Sequence, residues 1–314
     1  MMHTGLLIEG YRTMLLIRRA EEALAEDFVR NKIFSFLHLS IGQEAVAAGV
    51  CKTLTPKDAV FGNHRSHAHY LAKGGDLYRM FAEIYGKQDG CCRGRGGSMH
   101  LLDRTVGFMG SAPILGSIVP IACGHAFAQK QQEFDAITVV FFGDGASEEG
   151  VVYESLNLAA LYRLPVLCVI ENNHHAVNSA QSARRATGFD MQKVVRGLGV
   201  DYAAVDGNDY PQVYDAAASL RYSLPAVLEA RTYRQMAHSG PVCDESARQI
   251  DPLDVRKAND PLALMRARLS RLLVSDADLD TLDERARSHV SKMLALAKAA
   301  QDADMSTIME GALR

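Results

Sequence analysis

Two apolar runs that end in polar tips constrain this chain more than any other feature. Ile137 to Phe142 reads ITVVFF and stops at Gly143-Asp144-Gly145, while Val166 to Ile170 reads VLCVI and stops at Glu171-Asn172-Asn173. Short continuous apolar runs of this kind fit strands buried on both faces. The segment between them, about 149–162, has helical character. Together they predict a strand–helix–strand unit that delivers an acid and an amide to one sheet edge. In doubly wound folds anionic ligands bind at that edge, against a helix start. Gly143 and Gly145 permit a tight turn and close backbone approach. Asp144 offers the hard oxygen that Mg²⁺ prefers, Asn173 a neutral amide oxygen, and the backbone around His175 a carbonyl. The layout suggests a diphosphate held through a divalent metal. No Walker loop is present, and positions 143–148, GDGASE, lack the third glycine of a dinucleotide fingerprint.

The same rhythm continues to residue 230, with strands at 202–206 and 226–230 and helices at about 190–197 and 210–221. The expected class is α/β, a mainly parallel sheet with helices on both faces. Upstream, the spacing predicts helices over 6–30, from Gly42 through Ala48, over 76–85 and over 118–129, with a short strand at 59–61. The glycine-rich segment 89–116 reads as an irregular binding surface. After a loop at 233–253 the chain reads as helical to its end, with breaks near Ser275-Asp276 and Asp302. A single domain over 1–314 is expected, with an N-terminal helical segment 6–50 and a C-terminal helical extension 254–312. A hydrophobic content of 48% over 314 residues suffices for a large core.

A formal charge of -3 gives no general attraction to nucleic acid or an anionic membrane. No apolar run approaches the roughly 20 residues of a bilayer span. The start, MMHTGLLIEGYRTML, lacks a basic segment followed by an apolar stretch, so secretion is not expected. The six cysteines form no CxxC pair, which suits reduced thiols in a cytoplasmic enzyme.

Eleven histidines are present, and His64, Arg65, His67 and His69 cluster just after the short strand. Arg65 is a multidentate phosphate partner of fixed charge. His67 can exchange a proton near neutrality. A zinc site is the competing reading of this cluster, but no cysteine or clear fourth ligand lies nearby. His238 and Ser239 follow the strand-like AVLEARTYR, where Arg234 adds a second cation at the same sheet edge. His100 closes the glycine-rich run GRGGSMH, where a loop-stabilising hydrogen bond explains it as well as chemistry does.

Gly143-Asp144-Gly145 with Asn172-Asn173 matches the thiamine diphosphate-binding motif. Gly42-Gln43-Glu44-Ala45, His64-Arg65-Ser66-His67, Gly94 to His100, and Tyr233-Arg234 with His238-Ser239 occur around it in order. Over roughly residues 6–300 the chain resembles the alpha subunit of thiamine-dependent 2-oxo acid and acetoin dehydrogenases. The resemblance implies thiamine diphosphate and Mg²⁺ as cofactors. Asp144 and Asn173 would ligate the metal through side chains, and His175 through its backbone carbonyl, although the family's tyrosine–glycine is here His175-Ala176. Gly143, Gly145 and Ala146 would lie along the diphosphate with Arg65 and Arg234. His64 takes the place of a common tyrosine, and Leu115, in a Pro-Ile-Leu-Gly departure, would support the bent cofactor. Leu115 and Phe108 are the expected pocket walls. His67 and His238 would serve the reacting centre.

The implied reaction is decarboxylation of a 2-oxo acid, or cleavage of acetoin, with acyl transfer to a lipoyl group. The activating glutamate would come from a beta subunit in an α2β2 assembly, with a lipoyl-bearing acyltransferase as a further partner. The altered loop Ala237 to Asp244 carries no expectation that Ser239 is phosphorylated, and it keeps open a transketolase-like ketol-transferring synthase. A non-catalytic interaction subunit is the third reading.

Overall fold

Alternation along two central strands divides the interior into two layers. In the computed structural model, which describes residues 2–33, 35–241, 253–304 and 306, the chain order is α1 (Thr4–Val29), α2 (Glu44–Lys52), β1 (Ala59–Gly62), α3 (Ser66–Ala72), α4 (Leu77–Ile84), β2 (Phe108–Ser111), α5 (Ile118–Gln131) and β3 (Thr138–Gly143). There follow α6 (Gly150–Tyr162), β4 (Val166–Asn172), the short β5 (His175–Ala176) and β6 (Ser179–Ala180), α7 (Met191–Gly197), β7 (Asp201–Asp206), α8 (Tyr210–Leu220) and β8 (Ala226–Arg231). The C-terminal helices are α9 (Leu253–Ala258), α10 (Pro261–Arg271) and α11 (Asp276–Ala299).

Six strands form one sheet in the order β2-β1-β3-β4-β8-β7, and every pairing is parallel. Val139, Phe141, Leu167 and Val169 face one core, shared with α2, α4 and α8. Val140, Phe142, Cys168 and Ile170 face the other, shared with α5, α6 and α7. Burial on both faces is why these strands read as unbroken apolar runs rather than as alternating ones.

The parallel α/β expectation therefore holds. Two local expectations, both in segment 89–116, do not. Segment 89–116 is not wholly irregular, because Phe108–Ser111 pairs with β1 as an edge strand. Its four residues, FMGS, carry two non-β-forming types and no period, so pairing alone holds it extended. Phe108 is fully buried in the first core rather than in a pocket wall. The polar stretch after β4 also contains a small antiparallel pair, His175 with Ala180.

Helices α1, α10 and the start of α11 close a third apolar cluster, in which Leu7, Tyr11 and Met14 meet Leu262, Met265 and Leu269. Ion pairs bind the same elements. Arg19 reaches Asp283 on α11 at 2.6 Å, and Arg18 joins Glu44 of α2 to Asp260 before α10.

Candidate active site at the strand tips

β3 and β4 run in register to Gly143 opposite Glu171, so Asp144 and Asn173 leave adjacent strands at the same sheet edge. Both line a cavity of about 300 Å³, together with Gly143, Gly145 and Ala146. A 3-10 turn, Ala146–Glu148, separates Asp144 from α6. The amides nearest the carboxylate therefore belong to that turn and not to the helix proper. Gly145 is held to a hydrogen by its neighbour: a Cβ there would stand 2.5 Å from the Cβ of Ala176.

Asp144 is buried. Its Oδ2 accepts from Arg184 Nη2, while Arg184 Nη1 donates to Glu148 at 2.6 Å. Arg185 adds bonds to Glu148 at 2.9 Å and to Ser147 Oγ at 2.8 Å. A carboxylate offers about four acceptor positions, so one guanidinium leaves room for a second cation. Asn173 is oriented from both ends. Its Nδ2 donates to Gln43 Oε1 at 3.0 Å, and its Oδ1 accepts the His175 N–H at 3.1 Å. The amide oxygen keeps a further lone pair. The strap that carries His175 bends sharply, with His174 and Val177 at φ of 63° and 53°. That conformation is unfavourable for a β-branched residue, and its presence beside a cavity is typical of built sites.

The opposite wall is cationic and imidazole-rich. Arg65 is buried; its Nη1 donates to the Leu39 carbonyl at 2.8 Å and its Nη2 to the His238 carbonyl at 3.0 Å. Arg234 is 1% exposed and donates to the carbonyls of Met236 and Val177, each at 3.0 Å. His64, Arg65, Leu115, His175, Arg234 and His238 all line the cavity. The rings of His38, His64 and His238 lie 4.6 to 5.2 Å apart, centroid to centroid. Burial, reinforced by the Arg65 charge, pushes His38 down to about 3 and His64 well below its usual range, so both rings are neutral at pH 7. Neither nitrogen of His64 has a hydrogen-bond partner among the described residues.

His67 is the expected residue that the fold does not bring to this wall. Its ring is fully buried, with Nδ1 3.2 Å from Glu21 and Nε2 2.8 Å from Ser98 Oγ. Both nitrogens are spent on packing the glycine-rich loop against α1. His69 stacks on Phe141, with centroids 4.2 Å apart, and bonds Glu171 at 2.9 Å. Because His64, His67 and His69 diverge in this way, they do not form the zinc cluster weighed above. His100 bonds the Gly96 carbonyl at 3.0 Å, a loop-stabilising contact.

The model of the dehydrogenase E1 component family matches residues 12–306. The chain belongs to that family. It is 37% identical over 300 residues to the pyruvate dehydrogenase E1 component subunit alpha of Pisum sativum mitochondria, covering 93% of this chain and 74% of that one. It is 38% identical over 295 residues to the corresponding alpha subunit of Zymomonas mobilis, with coverages of 91% and 82%. Against the alpha subunit of the acetoin:2,6-dichlorophenolindophenol oxidoreductase of Cupriavidus necator, identity is 37% over 302 residues, covering 94% and 90%. An E1 alpha subunit is thus what the strand-tip motifs mark.

Several wall residues of this E1 chain escaped the sequence reading: Asn63, Glu148, Glu149, Val177 and Arg184. Asn63 donates to Glu171 at 2.9 Å and accepts the Arg65 N–H at 2.7 Å, fixing the turn on which Arg65 sits. The one available signal was the pair Arg184-Arg185 in an otherwise polar loop, which two acids after GDG could have answered.

The buried neutral imidazoles make stability pH-dependent. A histidine whose folded pKa lies below its unfolded value near 6.5 leaves the unfolded chain binding more protons beneath that pH. Its contribution is complete above about pH 6.5 and falls away toward the folded value. Denaturant unfolding at pH 7 and pH 5 is expected to show a loss of up to about 2 kcal/mol per buried ring. The His64→Asn variant is expected to flatten that slope, and an unchanged slope would count against a neutral buried ring.

Proposed function

We propose that this chain binds thiamine diphosphate through Mg²⁺ at the strand-tip cavity. As the alpha subunit of an E1 enzyme it decarboxylates a 2-oxo acid, or cleaves acetoin, and passes the acyl unit to a lipoyl group. The observation that carries this reading is the presence of Asp144, Asn173, Arg65 and Arg234 around one cavity. That donor set combines hard oxygens with cations, as a metal-bound diphosphate requires, and the orphaned nitrogens of His64 await a polar ligand.

When bound, thiamine diphosphate supplies a carbon nucleophile and an electron sink. The chain's own groups do the rest. Asp144 and Asn173 hold the metal with the backbone carbonyl of His175. Arg65 and Arg234 meet the diphosphate charge, and the small residues Gly143, Gly145 and Ala146 let the backbone come close. Leu115, on the cavity wall, would pack against the cofactor. His64 and His238, on the same wall, hold or deliver protons near the reacting carbonyl. The neutral state of His64 makes it a hydrogen-bond donor and acceptor there, not a fixed charge. Since His67 is committed elsewhere, His238 is the stronger candidate for proton transfer.

The activating glutamate comes from a beta subunit, in an α2β2 assembly that serves a lipoyl-bearing acyltransferase. Exposed apolar side chains on α5 and α6, among them Ile121, Leu161 and Tyr162, favour a partner surface. The described cysteines are all free, in keeping with a cytoplasmic setting. The test is turnover of pyruvate, branched 2-oxo acids and acetoin by the chain alone and with its beta partner, using lipoyl domain or a dye as acceptor. Activity is expected only in the pair. Full activity of the isolated chain would overturn the shared site, and ketol transfer to an aldehyde without lipoyl reduction would favour the synthase reading.

A further inference from the structure

We propose that Cys91 and Cys92 form a redox-active dithiol, which a hydroperoxide oxidises to a disulfide that loosens the glycine-rich loop 92–100. This goes beyond the proposed function and does not rest on it. The two thiols are chain neighbours, both half-buried, and their sulfurs lie with a Glu83 oxygen within 4.8 Å of one another. The other described cysteines, Cys51, Cys123 and Cys168, are buried with thiols pushed up by burial, which makes them inert.

The pair is asymmetric. Contact with the Cys92 sulfur, aided by the Leu102 amide and by Arg79, holds Cys91 below the usual thiol range against burial and the Glu83 charge, while the Cys92 thiol donates to the His100 carbonyl at 3.1 Å. The same contact between the two sulfurs, with burial, pushes Cys92 up. Because the His100 carbonyl holds the Cys92 proton, Cys91 is the attacking sulfur and Cys92 the resolving thiol. In the first step the Cys91 sulfur attacks the peroxide, the O–O bond breaks, and Cys91 sulfenic acid and an alcohol form, or water if the oxidant is hydrogen peroxide. In the second, the Cys92 sulfur attacks the Cys91 sulfur and the S–O bond breaks. Water leaves with the Cys92 proton. Two electrons pass from the dithiol to the peroxide.

The loop is built to register the change. The fully buried Glu83 carboxylate accepts N–H bonds from Cys92, Gly94, Gly96 and Gly97 at 2.7, 2.8, 2.6 and 3.1 Å. Neighbouring Cα atoms stand about 3.8 Å apart across a trans peptide, inside the roughly 4.4 Å floor of ordinary disulfides. Closing the ring must twist the 91–92 peptide and pull its N–H from Glu83. A strained disulfide is readily reduced, so the bond acts as a switch and not a staple. Ser98, farther along the loop, holds His67 Nε2 at 2.8 Å, which extends the disturbance inward.

The test treats the full-length chain, assembled with its partner, with hydrogen peroxide, blocks residual thiols and maps peptides by mass. Wild type is expected to lose about 2 Da at the Cys91–Cys92 peptide, reversibly with dithiothreitol. Trypsin is expected to cut after Arg93 or Arg95 about tenfold faster in the oxidised form. Cys92→Ser should instead accumulate a dimedone-reactive sulfenic acid at Cys91, and Cys91→Ser should give neither product. Oxidation spread over the other cysteines, or a wild-type pair that stays alkylatable, would overturn the proposal. So would a disulfide that leaves loop cleavage unchanged.

Discussion

Alanine at Asp144 is expected to weaken Mg²⁺-dependent binding of thiamine diphosphate by at least about 100-fold, a loss of about 2.7 kcal/mol. The carboxylate is the one anion among the three groups proposed for the metal, and Mg²⁺ relies on charged oxygen ligands. Its removal also strips one of two acidic partners from Arg184, which keeps Glu148. The freed guanidinium then repels the incoming cation in a setting little screened by water. Asp144→Asn separates these effects, since it preserves shape and one oxygen while removing charge. Calorimetric titration of the assembled enzyme measures the change, with thermal melting to confirm folding. A loss smaller than about threefold in Asp144→Ala would mean that the metal is held elsewhere.

Arg18→Ala is expected to be the most damaging single change to stability, at about 3–5 kcal/mol. Arg18 lies between Glu44, which is fully buried, and Asp260, which it meets at 3.1 Å. Burial works against the Arg18 charge, and these two carboxylates more than offset it. With Arg18 gone, Glu44 keeps the Gly42 N–H at 3.1 Å, too little for a buried anion. The effect reaches the site, because Glu44 opens α2 and the preceding Gln43 orients Asn173. Urea unfolding should therefore show the large loss, and cofactor affinity a smaller one. Arg18→Met with Glu44→Leu should recover much of the stability, because replacing a buried pair by apolar groups costs little. A single-variant loss below about 1 kcal/mol would show that water reaches Glu44.

The sheet was legible because parallel strands buried on both faces leave long apolar runs that no helix period explains. Gly143-Asp144-Gly145 and Asn172-Asn173 were legible because each polar tip follows its strand directly in the chain. Gly42 shows what a motif alone leaves unexplained. Its φ is 93°, and a Cβ there would stand 2.5 Å from the Tyr233 carbonyl, so the glycine serves a contact with a segment almost two hundred positions away. Edge strand β2 was hidden because its conformation comes from β1 and not from its own composition. Arg184 and Asn63 were missed for a related reason: their partners, Asp144 and Glu171, lie far away in the chain. His67 stands apart from Arg65 because residues two apart at a helix start need not share a wall: α3 turns its ring toward Glu21 and Ser98.

The central claim is that a carboxylate and an amide from neighbouring strands grip one cation, which anchors the diphosphate. A crystal structure of the chain with its beta partner, Mn²⁺ and thiamine diphosphate tests it directly through the anomalous signal of the metal. The expected result is one metal peak with Asp144 and Asn173 side-chain oxygens at roughly 2.1 Å, close to the octahedral Mg²⁺ distance, and both phosphates on the same ion. A peak that touches neither side chain, or diphosphate bound away from the β3 and β4 tips, would contradict the account.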